Sequence, residues 1–249
     1  MGILDLFKKQ KDETHHDFSL KWLEVDMHSH LIPGIDDGTK TLEESISLIK
    51  RLKSFGLRKI ITTPHIMTEY FRNTPEIIRL GLQEVRFALE KEGIDIHIDA
   101  AAEYYMDEFF LEKVESGQEL LTIKDNLVLV ETGFMNKPHM MMEVFFSMEM
   151  NGYKPILAHP ERYHYLIRDK KLLDDLLDRE IYFQINLLSL TGFYSQPIKH
   201  FAEMLIDEKR VKLFGTDCHN QRYLDMLEGL GNSKYYETIQ ELDILNQTL

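Results

Sequence analysis

The stretch that decides the fold reads Asp26-Met27-His28-Ser29-His30, with Gly34-Ile35-Asp36-Asp37-Gly38 directly behind it. In an extended segment, residues i and i+2 lie on the same side, so His28 and His30 can face one object. Two imidazoles that converge in this way commonly bind a divalent cation. The pair alone is weak evidence, because two polar loop histidines give the same pattern.

Composition limits the range of functions. The chain has 249 residues with 43% hydrophobic content, which suits one domain of the α/β-barrel kind. Its formal net charge of −13 repels phosphate backbones and disfavours nucleic-acid binding. An acidic enzyme that acts on phosphate must therefore supply positive charge locally, from metals or a few arginines. The single cysteine excludes an internal disulfide and agrees with a cytoplasmic protein.

We expect no targeting signal in the amino-terminal segment. No apolar run approaches the ~20 residues that span a bilayer. The start, residues 1–9, is too short for a signal peptide, and Leu6 stands where myristoylation needs Ser or Thr. We interpret residues 1–21 as a tail and residues 22–249 as one domain. The apolar side chains of the tail could contact a membrane or a partner, although a solvated tail is the simpler interpretation.

Strands and helices alternate along the rest of the chain. Short apolar runs predict strands at roughly 23–28, 59–63, 94–102, 127–130, 153–158, 181–186 and 211–215. Apolar residues at helical spacing predict helices at 41–55, 75–92, 107–116, 138–151, 171–179 and 198–208, and residues 221–249 look mostly helical. Thr41 and Glu44 form a capping box. Seven strands that alternate with helices favour an α/β fold with a parallel, barrel-like sheet.

Metal-capable side chains follow most of these strands. Active sites of such barrels lie at the carboxyl ends of the strands. There the sequence places His28, His30, His65, Glu103, Glu131, His159, Asp217 and His219. Any one of them is more simply a hydrogen-bonded loop anchor, but their convergence predicts a polynuclear metal centre. Imidazole and carboxylate ligands without thiolate suit Mn, Fe or Zn, and paired metals are a common arrangement for phosphoester hydrolysis.

The same residues carry a family resemblance. The chain resembles the polymerase-and-histidinol-phosphatase (PHP) superfamily and, more narrowly, the bacterial manganese-dependent protein-tyrosine phosphatases of capsule and exopolysaccharide synthesis. The matching segments are Asp26–His30, Asp36–Gly38, Thr63–His65, Glu103–Tyr105, Val130–Glu131, Ala158–Tyr163 and Thr216–Asn220. Their order and spacing cover about residues 22–225, which is nearly the whole chain.

The resemblance implies a distorted seven-stranded TIM-like barrel of the PHP type and a site for three metal ions. Manganese is the implied metal, with iron or zinc as alternatives. Grouped by metal, the implied ligands are His28, His30, Glu103 and Asp217; Glu131 and His159, with Glu103 as a bridge; and Asp37, His65 and His219. Asp37 matches the family better than Asp36, which is the expected structural neighbour.

Substrate-binding residues are also implied by the resemblance. Arg162, three residues past His159, matches the phosphate-binding arginine, with a salt bridge to a carboxylate as the alternative. Asp217 and His219 would act with it in catalysis. Arg222 lies nearer to His219 than the family's second arginine would. Four aromatic residues could either contact an aromatic substrate or pack in the core: Tyr104, Tyr105, Phe134 and Tyr163.

Three functions remain open on the sequence. The leading one is metal-dependent hydrolysis of phosphotyrosine in proteins, and the resemblance points to the tail of a cognate bacterial tyrosine kinase that controls capsular or exopolysaccharide synthesis. The closest alternative is a small-molecule phosphatase of the same superfamily, such as one acting on histidinol phosphate. The third is a non-catalytic partner of a polysaccharide-export complex, which would have no need of nine ligands.

Cys218 is the only cysteine, and we predict that it is not the nucleophile. A thiol-based tyrosine phosphatase has an arginine separated from its cysteine by five residues, whereas this chain has Leu224 there, after Tyr223, and no surrounding glycine-rich loop. Cys218→Ser should therefore keep a substantial fraction of wild-type turnover in a phosphatase assay. Complete loss of turnover with the metal content intact would contradict a metal-dependent mechanism.

Overall fold

Parallel strand pairing organises residues 18–249, the part of the chain that the computed structural model describes. Its strands are β1 (Val25–Asp26), β2 (Lys59–Thr62), β3 (His65–Ile66), β4 (His97–Ala100), β5 (Glu103–Tyr105), β6 (Leu127–Glu131), β7 (Lys154–Ala158), β8 (Tyr182–Asn186) and β9 (Leu213–Gly215). They form one sheet in the order β1-β2-β4 and a second in the order β3-β5-β6-β7-β8-β9. The predicted α/β class with parallel strands is confirmed.

Two of the predicted strands lie in the smaller sheet, and each is followed at once by a short strand of the larger sheet that was not predicted. The run at 59–63 forms β2, and β3 follows it after Thr63 and Pro64. Proline has no N–H to donate to a strand ladder, so the pairing of β2 stops there. The run at 94–102 forms β4, and β5 follows it after Ala101 and Ala102. β3 and β5 pair so that His65 and Glu103 are register partners in the larger sheet.

The segments that follow β1 and β9 also meet. An isolated parallel bridge joins Ser29 to Cys218. The His30 N–H donates to the Cys218 carbonyl at 2.9 Å, and the Asp217 N–H donates to the His28 carbonyl at 2.8 Å. The first and last predicted ligand motifs therefore lie side by side, although they are about 190 residues apart in the sequence.

Helices cover the outer faces of the sheets. Within the described residues they are α1 (Leu42–Ser54), α2 (Pro75–Lys91), α3 (Glu108–Glu115), α4 (Met141–Met150), α5 (His164–Arg168), α6 (Lys170–Asp178), α7 (Gln196–Asp207), α8 (Gln221–Leu227) and α9 (Tyr236–Gln240). Short 3₁₀ helices occupy 160–162, 187–191, 228–232 and 245–248. The predicted helices are present; α5 was not predicted, because five residues carry too little periodicity.

The capping box forms in part. The Thr41 hydroxyl accepts the N–H of Glu44 at 3.2 Å, as predicted. The Glu44 carboxylate accepts the N–H of Lys40 at 2.7 Å, one residue before the expected donor. The first bond satisfies an N–H group that the first turn of a helix leaves unpaired, and the second holds the residue before the cap.

The core lies between the sheets and the helices. Val128, Leu129 and Val130 of β6 are all fully buried, as in parallel strands covered on both faces. Met141 and Met148 of α4 are also fully buried and fill core space.

The predicted boundary between tail and domain stays a prediction, since residues 1–17 lie outside the described part. Leu20, on the tail side of that boundary, is fully buried. Its N–H donates to the Phe55 carbonyl at 2.7 Å. The segment just before residue 22 thus packs on the domain.

Gly215 ends β9 directly against His28. A Cβ at this position would lie 2.6 Å from the His28 Cβ and 2.9 Å from the Gln184 Nε2. We expect Gly215→Ala to lower the free energy of unfolding by about 1–3 kcal/mol, because overpacking forces the strand ends apart. Gly229→Ala is the matched control, since its Cβ would meet nothing within 4 Å. Urea denaturation measures both, and equal losses of stability would contradict the close approach.

Candidate metal centre

The carboxyl ends of the strands surround a cavity of about 470 Å³, the site cavity. Its wall includes seven of the nine predicted ligands, namely Asp37, His65, Glu103, Glu131, His159, Asp217 and His219. His28 and His30 lie beneath it and are fully buried. The structure therefore brings together the side chains that the sequence placed at separate strand ends.

Glu103 lies at the centre of the cluster. Its Oε2 is 3.1 Å from the His28 Nε2 and 3.3 Å from the His65 Nδ1. Its Oε1 is 3.0 Å from the His159 Nε2. Burial raises the pKa of Glu103, but the charges of His28 and His65 outweigh burial and hold that pKa well below its usual range. An ionised carboxylate at this point can bridge cations on two sides.

Asp217 is a second carboxylate close to His28 and His30. Its Oδ1 is 3.4 Å from the His28 Nε2 and 3.5 Å from the His30 Nε2. Its Oδ2 accepts hydrogen bonds from the Arg162 Nη1 at 3.1 Å and from the Asn186 Nδ2 at 2.6 Å. Burial raises the pKa of Asp217, whereas His28 and its other cationic neighbours hold that pKa well below its usual range.

The outer part of the cluster lies at the mouth of the cavity. The Asp37 Oδ1 is 3.4 Å from the Nε2 atoms of both His65 and His219. The Asp37 side chain is 56% exposed, so this end of the cluster is open to solvent. The Glu131 Oε1 lies 2.9 Å from the His65 Nδ1.

The donor atoms fit metal ions. They form four groups, each within 4.8 Å: His30, Asp37, His65 and His219; His28, His30 and Glu103; His28, His159 and Asp217; and His65, Glu103 and Glu131. The buried Nδ1 of His65 lies 2.9 Å from the Glu131 Oε1 and 3.3 Å from the Glu103 Oε2, yet it has no hydrogen-bond partner among the described residues. An unpaired buried nitrogen is costly, and a cation would satisfy such a donor set. The predicted assignment of ligands to individual metals stays a prediction.

Neighbours orient the two buried histidines. The His28 Nδ1 lies 2.7 Å from the Gln184 Oε1, and the His30 Nδ1 lies 2.8 Å from the Asp36 Oδ2. Because these oxygens accept hydrogen bonds, each Nδ1 carries the proton and donates it to the bond, and each Nε2 faces the cluster. Asp36 is therefore the structural neighbour that the sequence suggested. Gln184 was missed, because nothing in the sequence marks a mid-strand glutamine that only sheet pairing brings to His28.

Two of the predicted ligands have an unusual backbone conformation. His159 has φ 33° and Asp217 has φ 50°, values that favour glycine. Such strained residues occur where the surrounding structure imposes the conformation, commonly at functional sites. For Asp217, the hydrogen bond from its own N–H to the His28 carbonyl holds the backbone in this conformation.

Arg162 reaches the cavity between two aromatic rings. Its Cζ lies 4.4 Å from the ring centre of Phe134 and 4.3 Å from that of Tyr194. The stack fixes the plane of the guanidinium, and cation–π attraction stabilises it. The bond to Asp217 means that the alternative predicted for Arg162, a salt bridge, is present; the same side chain also lines the cavity.

Two predicted substrate-binding residues lie elsewhere. Tyr163 is fully buried, and its hydroxyl accepts the Thr132 N–H at 3.1 Å. This burial argues against the predicted contact with substrate. The Arg222 guanidinium lies 5.4 Å from the ring centre of Phe193 and faces a separate cavity of about 400 Å³. Its role in substrate binding stays a prediction.

Cys218 lies between two ligands but does not line the site cavity. Its side chain is fully buried, and burial raises the pKa of the thiol well above its usual range. A neutral, enclosed thiol is a poor nucleophile. This position supports the prediction that Cys218 is not catalytic.

A parallel α/β scaffold that gathers imidazoles and carboxylates around a strand-end cavity defines the class of metal-dependent hydrolases. Residues 24–229 match the family model described as capsular polysaccharide synthesis, CpsB/CapC. The chain belongs to this family, and the resemblance seen in the sequence is confirmed.

Named relatives agree with this placement. The chain is 29% identical over 199 residues to the tyrosine-protein phosphatase YwqE of Bacillus subtilis (79% of this chain, 77% of the relative). It is 30% identical over 202 residues to the tyrosine-protein phosphatase CpsB of Streptococcus pneumoniae (79% and 83%). A solved structure from work on YwqE and CpsB, described as unique metal-dependent tyrosine phosphatases, superposes with TM-score 0.78 at 25% identity over 90% of each chain.

Glu161 connects the Arg162 turn to the end of β8. Its Oε1 accepts hydrogen bonds from the Ser189 hydroxyl at 2.6 Å and from the Asn186 N–H at 2.9 Å. Its Oε2 has no partner among the described residues. Burial raises the pKa of Glu161 from 4.5 to about 7.

This raised pKa predicts a pH-dependent stability. The folded chain binds the Glu161 proton more tightly than the unfolded chain does, so the stabilisation is present below pH 4.5 and is lost as the pH rises to about 7. Glu161→Gln cannot ionise. We expect the free energy of unfolding of the wild type relative to this variant to fall by about 2–3 kcal/mol between pH 4.5 and about pH 8.

Urea denaturation of both proteins at the two pH values measures this change. The ligand side chains titrate in both proteins, so the difference between them isolates Glu161. A difference that stays constant with pH would contradict the raised pKa.

Proposed function

We propose that this chain is a metal-dependent protein-tyrosine phosphatase that hydrolyses phosphotyrosine in proteins. One observation carries the proposal: nine metal-capable side chains converge at the strand ends, beside the partly buried guanidinium of Arg162. The relatives YwqE and CpsB, which are named tyrosine-protein phosphatases, support it.

The cofactor that we propose is manganese, three ions in number, with iron or zinc as alternatives. The residues that would hold the ions are His28, His30, Asp37, His65, Glu103, Glu131, His159, Asp217 and His219. Bound metal ions supply a water of lowered pKa and positive charge for the phosphoryl oxygens. Four overlapping donor groups support more than one ion.

Arg162 would hold the phosphoryl group. One of its N–H groups is bonded to Asp217, and a guanidinium has five in a rigid fork. The stack between Phe134 and Tyr194 aims the remaining donors along one plane. In a chain of net charge −13, this side chain supplies the local positive charge that a phosphate requires.

The walls of the site cavity suit an aromatic phosphoester. Phe71, Phe134 and Tyr223 line it, and Tyr70 stands at its rim with 72% of its surface exposed. A tyrosyl ring can stack against such walls. Its phenolate has a pKa of about 10, so it departs with less acid assistance than an alkoxide. An exposed aromatic rim favours a side chain presented by a protein over an enclosed metabolite.

For the physiological substrate, we propose the tyrosine-rich tail of a cognate bacterial tyrosine kinase that controls capsular or exopolysaccharide synthesis. Membership in a family of capsular polysaccharide synthesis supports this choice. Action in the cytoplasm is part of the same proposal. Among the described residues, no helix has the length and apolar character needed to cross a membrane.

We further propose that the two sheets are parts of one distorted seven-stranded barrel within residues 22–249, preceded by a tail at 1–21. The chain passes from β2 in one sheet to β3 in the other within two residues, and from β4 to β5 in the same way. The bridge from Ser29 to Cys218 brings the first and last strands together. Both features support closure.

A direct test is turnover by the purified protein on a phosphotyrosyl peptide, a phosphoseryl peptide and histidinol phosphate, with metal content measured in parallel. We expect a preference for phosphotyrosine, loss of turnover on chelation and recovery with Mn²⁺. Full turnover with metal confirmed absent would end the proposal, and a preference for histidinol phosphate would favour the small-molecule alternative.

Arg162→Ala tests the phosphate contact. We expect kcat/KM to fall by roughly 100-fold, about 2.7 kcal/mol of transition-state stabilisation. Metal content should stay unchanged, because Asn186 still holds Asp217 in the variant. Arg162→Lys should recover only part of the loss, since a lysine lacks the forked geometry.

Kinetics and metal stoichiometry of both variants check this expectation. If Arg162→Ala keeps the wild-type kcat/KM, Arg162 does not bind the phosphate and only forms an ion pair with Asp217. Loss of metal together with activity would make it a support for the ligand instead.

A further inference from the structure

A second cavity of about 410 Å³ adjoins the site cavity. Met67, Tyr105 and Gly133 line both, so the two cavities are neighbours on the surface. We call this second cavity the flanking groove. Its volume is within the range of pockets that hold small ligands. Its other wall residues include Glu69, Asp107, Glu108, Phe109, Lys137 and Met140.

The flanking groove is negatively charged. Three carboxylates, those of Glu69, Asp107 and Glu108, face one ammonium, that of Lys137, which leaves two negative charges uncompensated. Within residues 18–249, neither Glu69 nor Glu108 forms an ion pair, and both are exposed. Asp107 caps α3 by accepting the N–H of Phe110 at 2.8 Å. The two glutamates are therefore available to a ligand.

The rest of the groove wall is apolar. Phe109 is 54% exposed there, and Met67 and Met140 lie on the same wall. Methionine side chains adapt to differently shaped partners. Apolar side chains next to carboxylates match a lysine or arginine, which has an apolar stem and a cationic head.

We propose that the flanking groove binds a lysine or arginine side chain of the substrate protein, close in sequence to the phosphotyrosine. The inference rests on the proposed function and names the sequence preference of that same site. The carboxylates attract a basic neighbour and repel an acidic one, so they discriminate between phosphotyrosine sites. The shared wall at Tyr105 and Gly133 places this recognition beside the phosphate cavity.

Phosphotyrosyl peptides that differ at one position test the inference. One pair carries Lys or Glu two residues before the phosphotyrosine, and a second pair carries them two residues after it. With the metal-loaded wild type, we expect kcat/KM to favour Lys over Glu about fivefold in at least one pair, the scale that partly exposed ion pairs give. The ratio should fall in about 0.5 M salt, because salt screens such pairs.

A charge-matched pair of variants locates the effect. The double variant Glu69→Gln, Glu108→Gln should bring the Lys-to-Glu ratio to about one. The control Glu84→Gln, Glu112→Gln removes the same charge from exposed positions of α2 and α3 outside the groove, so it should keep the wild-type ratio. Turnover of p-nitrophenyl phosphate, which has no flanking residues, normalises each protein for metal loading.

The possible failures are distinguishable. Equal turnover of the Lys and Glu peptides by a wild type that hydrolyses p-nitrophenyl phosphate would contradict the proposed binding of a basic residue in the flanking groove. The proposed phosphatase activity would still stand. A Lys preference that survives in the Glu69→Gln, Glu108→Gln variant would also overturn it. No turnover of any of these substrates by the metal-loaded wild type would overturn the proposed function, and this inference with it.

Discussion

The burial of two carboxylates among imidazoles is the constraint on which the rest of the structure depends. Glu103 and Asp217 are almost completely withdrawn from water. An ion in that position costs several kcal/mol unless opposite charge surrounds it, so protons or metal ions must be shared among the neighbouring histidines. Fixed partners on the outside of the cluster, such as Gln184 and Asn186, keep the donor atoms in place. The site is therefore rigid and polar at the centre of an apolar core.

The irregular sheet follows from this constraint. The ligands come from the carboxyl ends of many strands, and these ends must meet at one level. The breaks before His65 and Glu103 turn each strand end into the larger sheet, where the two residues are register partners. The bridge at Ser29 and Cys218 adds the ligands that follow β1 and β9. Arg162, held between two rings, supplies a guanidinium to the wall of the site cavity.

Much of the fold and of the candidate site was predictable from residue patterns. Helices with clear apolar stripes, such as α1 and α2, were found almost to the residue, because their periodicity is local. The ligand positions were found because each follows an apolar run. For Tyr163 the sequence left substrate contact and packing open, and the structure shows packing: Tyr163 neighbours Arg162 in sequence, but the 3₁₀ turn at 160–162 sends the two side chains in different directions. One is buried against Thr132 and the other lines the cavity.

The sequence by itself determined the α/β class, the set of donor residues and the family, since these depend on composition, spacing and local order. Only the tertiary structure decided how the donors group, that Gln184 and Asp36 orient the histidines, and that Tyr194 completes the stack on Arg162. It also decided that Met67, Tyr105 and Gly133 separate two adjoining cavities. These features depend on strand register and on contacts between distant segments, which spacing along a chain does not specify.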